Sequence, residues 1–401
     1  MISKNTIMEK ALSFSDEIIA IRRKIHQTPE IGLKEIQTAK LVEEKLRSLN
    51  LEVKTEIGIT GVTGTLYGKY PGKTILLRAD MDALEIQEEN DIEYKSKVDG
   101  MMHACGHDGH VSWLLGAACI LESLKDQLHG NVVFLFQPAE ETEGGAERMI
   151  NEHVLENPKV DAVLGAHVWP SLESGKVAVK KSTIMAGSDL FKLKIIGKGG
   201  HIAEPHKCID PISIASQVYM SLQTVVSRKI DPTDSVVLSF STIHGGTATN
   251  VIPDFVEMQG NVRYLSWEMR DKIPAVIESI IKGITEANGG SYELEYTPFY
   301  PPVVNDSTIT QLVQNSAQKI LGQNNSLELD TPSMCGEDFA YFLKERPGSF
   351  FFVGTKNDEK NIVNPLHNCK FNLDEEILHK ASAVFTQCVL DFLNNDVELG
   401  H

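Results

Sequence analysis

A chain of 401 residues exceeds what one hydrophobic core usually sustains, roughly 250–300 residues, so at least two folding units are expected. A hydrophobic fraction of 42% with 23% charged residues excludes a disordered chain and fits a water-soluble globular one. The formal charge of -17 argues against a nucleic-acid or anionic-membrane partner, although a basic pocket can still sit inside an acidic protein.

Met1 to Lys10 lack the apolar core of a secretory signal, and no apolar run reaches the ~18 residues that a membrane span needs. Residues 7–27 read as a helix with Ile18, Ile19, Ile21 and Ile25 as its apolar stripe, and residues 35–49 as a second. Strands follow at Leu51–Lys54, Gly61–Tyr67 and Thr74–Arg78, the last running into Asp80 and Asp82. A Leu- and Ala-rich helix is expected over Gly109–Leu124. The apolar strand Asn131–Gln137 ends near Glu140 and Glu141, and the strand Val160–His167 ends in histidine. Three strands that each deliver a polar group at the C-terminal edge are what a parallel or mixed sheet produces.

The pattern changes near residue 184. Ser188–Ile196, Asp210–Arg228, Ser235–His244, Asp254–Val262, Trp267–Asn288 and Ser291–Thr297 read as strand, helix, strand, strand, helix, strand, the order of a ferredoxin-like sandwich. Beyond it, helices at Asp306–Leu321, Asp338–Leu343 and Asp374–Asn394 and the strand Ser349–Val353 resume the ligand-bearing α/β pattern of residues 1–183. The expected fold class is therefore α/β. Residues 1–183 and 298–401 are expected to form one discontinuous domain with a mixed central sheet flanked by helices, interrupted by an inserted α+β domain over 184–297.

The densest chemistry lies in Met101–His110, with three imidazoles, a thiol and a carboxylate in ten residues. These are the groups that bind borderline transition metals. Cys105 and His107 are spaced to converge on one metal or two adjacent ones, or to act as a reactive cysteine beside a base. His103 and His110 read as supporting residues. Asp108 reads as a partner that orients His107 or as a cap on the following helix. Adjacent carboxylates diverge, so one of Glu140 and Glu141 is expected to ligate a metal while the other acts on water. His167 and His367 are ligand candidates that could equally be hydrogen-bonded core histidines. Asp80 and Asp82 read as partners of ligating histidines or as turn caps. The glycine-rich turns at 197–206 and 245–253 lack a Gly-Lys-Ser/Thr element, so no phosphate cradle is expected. The six cysteines, Cys105, Cys119, Cys208, Cys335, Cys369 and Cys388, are scattered rather than framed as disulfides, which points to a reducing cytoplasm.

Seven ordered motifs carry a family resemblance: Leu77–Leu84, Met102–His110, Phe136–Glu141, Gly165–Pro170, Gly199–His201, Asn250–Asp254 and Gly336–Phe339. The chain resembles the M20 metallopeptidase/amidohydrolase family, in its branch of hippurate, N-acyl-amino-acid and auxin-conjugate hydrolases. The resemblance implies a hydrolase of N-acyl amino acids with two divalent metal ions, Mn²⁺ or Zn²⁺, with Co²⁺ or Ni²⁺ also compatible. It implies Cys105, His107, Glu141, His167 and His367 as ligands and Glu140 as general base. It also makes the inserted domain a lid through which copies pair as a dimer or tetramer, lending His201, Asn250 and Arg263 to the substrate from its own or the neighbouring subunit. Two positions depart from the family pattern, Ile202 after the lid histidine and Cys335 before Gly336. Rival readings are a cysteine-nucleophile hydrolase, a non-catalytic metal-binding scaffold, and, on the same site, a dipeptidase or an N-acetyl-diaminopimelate deacetylase.

Overall fold

The structure, a computed structural model, describes residues 2–394. It divides into two compact units. The first is built from the chain up to Ile184, from Val304–Thr331 and from Asp338 onward; the second from Met185–Val303 and Pro332–Glu337. Residues 298–303 and 332–337 thus cluster with the second unit, where the sequence pattern had placed them in the first. The strand Ser291–Tyr300 outlasts its expected end and stays paired with Gly187–Ile196 through Tyr300. The backbone N–H of Ala186 donates to the carbonyls of Ser333 and Cys335, which holds the 332–337 stretch against the second unit.

The first unit is organised by an eight-stranded mixed sheet. Its order is Glu52–Ile57, Gly61–Tyr67, His129–Gln137, Tyr70–Asp80, Ala162–Glu173, Gly348–Lys356, Val177–Val179 and Ser326–Glu328. The four central strands, His129–Gln137 through Gly348–Lys356, run parallel. Successive strand residues point to opposite faces, so the unbroken buried run from Ile75 to Asp80 requires cover on both faces. The helix His107–Glu122 is buried all round, apart from its last residue, and shares one core with Glu376–Asn394 and Ser15–Gln27. The helix expected over 7–27 is broken at Phe14 into Lys4–Ser13 and Ser15–Gln27. There the Ser13 hydroxyl donates to the Lys10 carbonyl and competes with the helical ladder.

The second unit holds a four-stranded antiparallel sheet in the order Val236–Gly245, Phe255–Tyr264, Gly187–Ile196, Ser291–Tyr300. Numbered along the chain, that order is 2-3-1-4, and with the helices Pro211–Leu222 and Trp267–Ala287 it is a ferredoxin-like arrangement. Phe255–Tyr264 alternates exposed and buried positions, so one face of the sheet carries the core. The long helix expected over 210–228 is two pieces, Pro211–Leu222 and Val225–Arg228. Met269, Ile273, Ile277, Ile281 and Thr285 form the i, i+4 stripe that buries the helix Trp267–Ala287.

Candidate metal centre

Three neighbouring parallel strands end at one edge of the first unit's sheet. In spatial order they are His129–Gln137, Tyr70–Asp80 and Ala162–Glu173, and they bring Glu140 and Glu141, Asp80 and Asp82, and His167 side by side. His167 does not close its strand, as the sequence had indicated; the strand runs on to Glu173 because Gly348–Lys356 keeps pairing with it. On the other side, pairing with Tyr70–Asp80 stops at Gly165, which opens that edge beside His167.

Two more segments complete the group. Gly106 takes a left-handed φ of 82° and starts the helix at His107, two residues before its expected start. A Cβ there would lie 2.6 Å from Val168 Cγ2, so glycine is needed for both conformation and space. His367 also has a left-handed φ, 61°, and its N–H donates to the Ala104 carbonyl at 2.9 Å, which pins the C-terminal segment to the Cys105 turn. Together these elements place donor atoms of Cys105, His107 and His167 within 4.8 Å of one another. The same holds for Cys105, Glu141 and His367, and for His107, Glu140 and Glu141. All five expected ligands and Glu140 therefore meet, from four distant parts of the chain.

Hydrogen bonding sorts the histidines. His167 donates from Nδ1 to the Val168 carbonyl at 2.7 Å, which leaves the Nε2 lone pair facing Cys105 Sγ at 3.3 Å. Burial drives its pKa down to about 3, so it is neutral. His110 has both nitrogens engaged: Nε2 accepts from the Val168 N–H at 3.0 Å, and Nδ1 donates to Asp80 Oδ1. That leaves neither nitrogen with a free lone pair. His107 is fully buried, and neither ring nitrogen makes a well-directed hydrogen bond. Its Nδ1 lies 3.3 Å from Asp82 Oδ1, and its Nε2 faces Asp80 Oδ2 at 3.7 Å and Glu141 Oε1 at 4.0 Å. A buried imidazole left unsatisfied among carboxylates, a thiol and a second imidazole fits a site for a divalent transition metal. Without an ion, burial opposes the charge on His107, but Asp80, Asp82 and Glu141 outweigh it and hold its pKa at about 10.

The carboxylates divide by what they touch. Asp82 accepts the backbone N–H of Glu140 at 3.0 Å and of Glu141 at 2.9 Å, so it fixes the turn that carries both. Asp80 takes His110 on one oxygen and Arg78 Nη1 on the other at 2.6 Å. Glu141 Oε1 lies 3.0 Å from His367 Nε2. Burial raises the Cys105 thiol pKa well above its usual range, and the Glu141 and Glu140 carboxylates add to the effect.

Asp108 does not orient His107 and does not cap its helix. One residue further round the helix, its Oδ2 accepts from Arg22 Nε at 2.8 Å and faces His26 Nδ1 at 2.8 Å. His26 in turn reaches Glu88, and all four residues are buried. His103 is buried beside His26, and burial lowers its pKa to about 3. Sequence reasoning gave no role to Arg22, His26, Glu88, Gln137 or Asp338. Arg78 bonds Gln137 and Asp338 as well as Asp80, and its one visible signal was a cation inside an apolar strand.

The remaining candidates lie in the second unit. His201 pairs with Val251 in a two-stranded ribbon, and its Nδ1 accepts the Ala203 N–H at 3.1 Å, so a neutral ring carries its proton on Nε2. Asn250 is exposed, and its carbonyl accepts from Ile202 N–H at 3.2 Å. Arg263 is half-buried, and its Nε donates to Asn261 Oδ1 at 2.7 Å. Cys335 is exposed, as is Ile202.

Among known proteins, the thermostable carboxypeptidase 2 of Saccharolobus solfataricus is 42% identical over 98% of both chains. An N-acyl-L-amino acid amidohydrolase of Geobacillus stearothermophilus is 47% identical over 72% of this chain and 78% of its own. A dinuclear metal-binding peptidase of Bacillus subtilis superposes with a TM-score of 0.84 at 34% identity, covering 95% of this chain and 99% of that one. Residues 76–391 match peptidase family M20/M25/M40, and the chain is a hydrolase belonging to that family.

Proposed function

We propose that the protein hydrolyses the amide bond of N-acyl amino acids. The observation that carries this reading is the buried, unsatisfied His107 at the junction of Cys105, Glu141, His167 and His367, with Glu140 alongside. Those five residues would hold two divalent ions, whose chemistry is to polarise the scissile carbonyl and make water acidic enough to attack at neutral pH. Soft Cys105 favours Zn²⁺, while the imidazoles and carboxylate also accept Mn²⁺, Co²⁺ or Ni²⁺.

Glu140 acts as general base, taking the water's proton and returning it to the leaving amine. Asp82 holds the Glu140 backbone, so the carboxylate starts from a fixed point. His201 donates from Nε2 to the developing oxyanion, a role its Nδ1 hydrogen bond supports. Arg263 and Asn250 bind the free carboxylate of the substrate, with Arg263 aimed by Asn261. The names carboxypeptidase and N-acyl-L-amino acid amidohydrolase share one chemical demand, an amide whose amine half carries a free carboxylate. Copies associate through the second unit as a dimer or tetramer. A groove of about 340 Å³ lined by Ile212, Tyr219, Met220 and Ile243 supports this.

The cysteine-nucleophile reading is disfavoured, because burial and two carboxylates hold the Cys105 thiol protonated, the reverse of what activates a nucleophile. The deciding assay is hippurate, N-acetyl amino acids and dipeptides, each with Mn²⁺ and with Zn²⁺. Turnover of the N-acyl amino acids that is lost with chelator and restored by metal is expected, and Glu140→Gln should lower kcat by roughly 10²–10⁴-fold with metal content unchanged. Activity that survives chelation but not thiol alkylation would reinstate the nucleophile. Preference for dipeptides would make the protein a dipeptidase, and silence across the loaded panel would leave a metal-binding scaffold.

A further inference from the structure

Glu140 is delivered by a turn with an unusual entry. Ala139, the residue before it, takes a left-handed φ of 55° without being glycine. Such a conformation persists only where surroundings over-determine it. Asp82 holds the far side of the turn through the Glu140 and Glu141 amides. The near side is held from a different part of the chain. The Ala139 N–H donates to Glu35 Oε1 at 2.8 Å, and the Thr60 hydroxyl donates to Glu35 Oε2 at 2.6 Å. Glu35 is fully buried.

Its position makes that engagement informative. Glu35 stands at the N-terminal boundary of the helix Ile36–Ser48, and its side chain makes no capping bond there. Glu30 does that work instead, accepting the amides of Gln37 and Thr38 and the Thr38 hydroxyl. The same loop presses on the turn at a second point: a Cβ on Gly32 would come within 3.0 Å of Ala139 Cβ and 2.2 Å of Thr142 Oγ1. The loop thus serves two partners: Glu30 caps its own helix, while Gly32 and Glu35 are fitted to Ala139.

We propose that Glu35 is a positioning residue for hydrolysis, holding the Ala139 amide so that the left-handed turn presents the Glu140 carboxylate to the reacting water. The role rests on Glu140 being the general base, but the hold on Ala139 can be measured without any substrate.

The test uses full-length, metal-loaded protein. Glu35→Met keeps the volume and removes both acceptors. Glu35→Asp, one methylene too short to reach, serves as the second variant should the first not accumulate. Glu35→Gln keeps an oxygen for Ala139, and the Thr60 hydroxyl can turn to accept from the new amide. Hydrogen exchange at the 138–144 segment should accelerate about tenfold or more in the Met or Asp variant and stay near wild type in Gln. With hippurate or an N-acetyl amino acid, kcat should fall roughly 10–100-fold at nearly unchanged KM and metal content, and Glu35→Gln should recover to within about threefold. Unchanged exchange at Ala139, or faster exchange confined to the helix Ile36–Ser48, overturns the proposal; so does a Gln variant as impaired as Met. Faster exchange with kcat unmoved would remove the link to catalysis. An active Glu140→Gln enzyme would instead sink the general-base reading and leave the exchange result standing.

Discussion

Asp82→Asn is the sharpest single probe of how the site is held. The carboxylate is buried and does three things: it accepts the Glu140 amide at 3.0 Å, accepts the Glu141 amide at 2.9 Å, and lies 3.3 Å from His107 Nδ1. Asparagine has the same shape but one acceptor oxygen. One of the two amides must then face an NH₂ group, donor against donor. A buried donor left unsatisfied costs about 1–3 kcal/mol, and the bond that survives loses its charge assistance, so a total near 2–4 kcal/mol is expected. Part of it appears as lower stability. The rest appears in function, because the turn carrying Glu140 moves and the proposed ligand His107 loses the carboxylate charge 3.3 Å from its Nδ1. Loss of such an outer partner typically weakens metal affinity ~10–100-fold. The assay is paired: metal affinity by chelator competition, and kcat at saturating metal so that occupancy is not the cause of any loss. Both should fall. Metal affinity and kcat within about threefold of wild type would show that Asp82 is a turn cap without influence on the centre, a change near 0.65 kcal/mol being too small for the bonds described.

Two further outcomes follow from the same contacts. In the metal-free protein both the Cys105 thiol and His107 are protonated at neutral pH, and the Glu141 hydrogen bond raises the His367 pKa as well, so metal uptake should release at least about two protons, read from the buffer dependence of the binding heat; release near zero would contradict the assignment of these ligands. The folded pKa of His107 lies above its unfolded value of about 6.5, so its contribution to metal-free stability is complete below that value and is lost as pH rises through about 10. The unfolding temperature of the metal-free protein should drop across that window, and a metal-free protein as stable at pH 10 as at pH 6.5 would refute the pairing. Arg78→Met leaves Asp80 and Asp338 buried without their cation, and denaturant unfolding should show about 3–5 kcal/mol lost; under about 1 kcal/mol would mean that the neighbouring groups compensate fully.

The site was legible wherever the sequence placed a ligand-type residue just past an apolar strand. Asp80, Asp82, Glu140 and Glu141 were singled out that way, because a parallel sheet buries its strands and opens at their C-terminal ends; His167 was singled out on the same expectation but lies inside its strand, where pairing on one side stops. Cys105 and His107 were legible through density alone. What stayed hidden were partners whose meaning depends on a fold contact. Glu35 carried no sequence signal, and only the structure shows Glu30 capping the helix while Glu35 turns to Ala139. Arg22 reads as one more cation on an amphipathic helix, yet it is buried against Asp108. Asp108 itself was misread because adjacency to His107 suggested contact, whereas consecutive helical residues point about 100° apart. The short strands Val177–Val179 and Ser326–Glu328, at the sheet's edge, are too brief to show a period.

The order of the strands explains why two aspartates that are not proposed as ligands stand at the middle of the centre. Tyr70–Asp80 lies between the strand leading to Glu140 and Glu141 and the strand bearing His167. From that central position Asp82 reaches one way, to the amides of Glu140 and Glu141. Asp80 reaches the other way through His110, whose Nδ1 donates to it and whose Nε2 accepts the amide of Val168, next to His167. Arg78, in the same strand, neutralises Asp80 and bonds Gln137 of the neighbouring strand and Asp338. The proposed ligands and the proposed base sit on the flanking segments, and the middle strand bonds to both. A displacement of either flank must stretch a charge-assisted hydrogen bond in a water-poor interior, where such bonds are strong and costly to leave unmade. The rigidity that the proposed two-metal site would need therefore comes from the central strand, and the residues proposed as ligands depend on neighbours that are not.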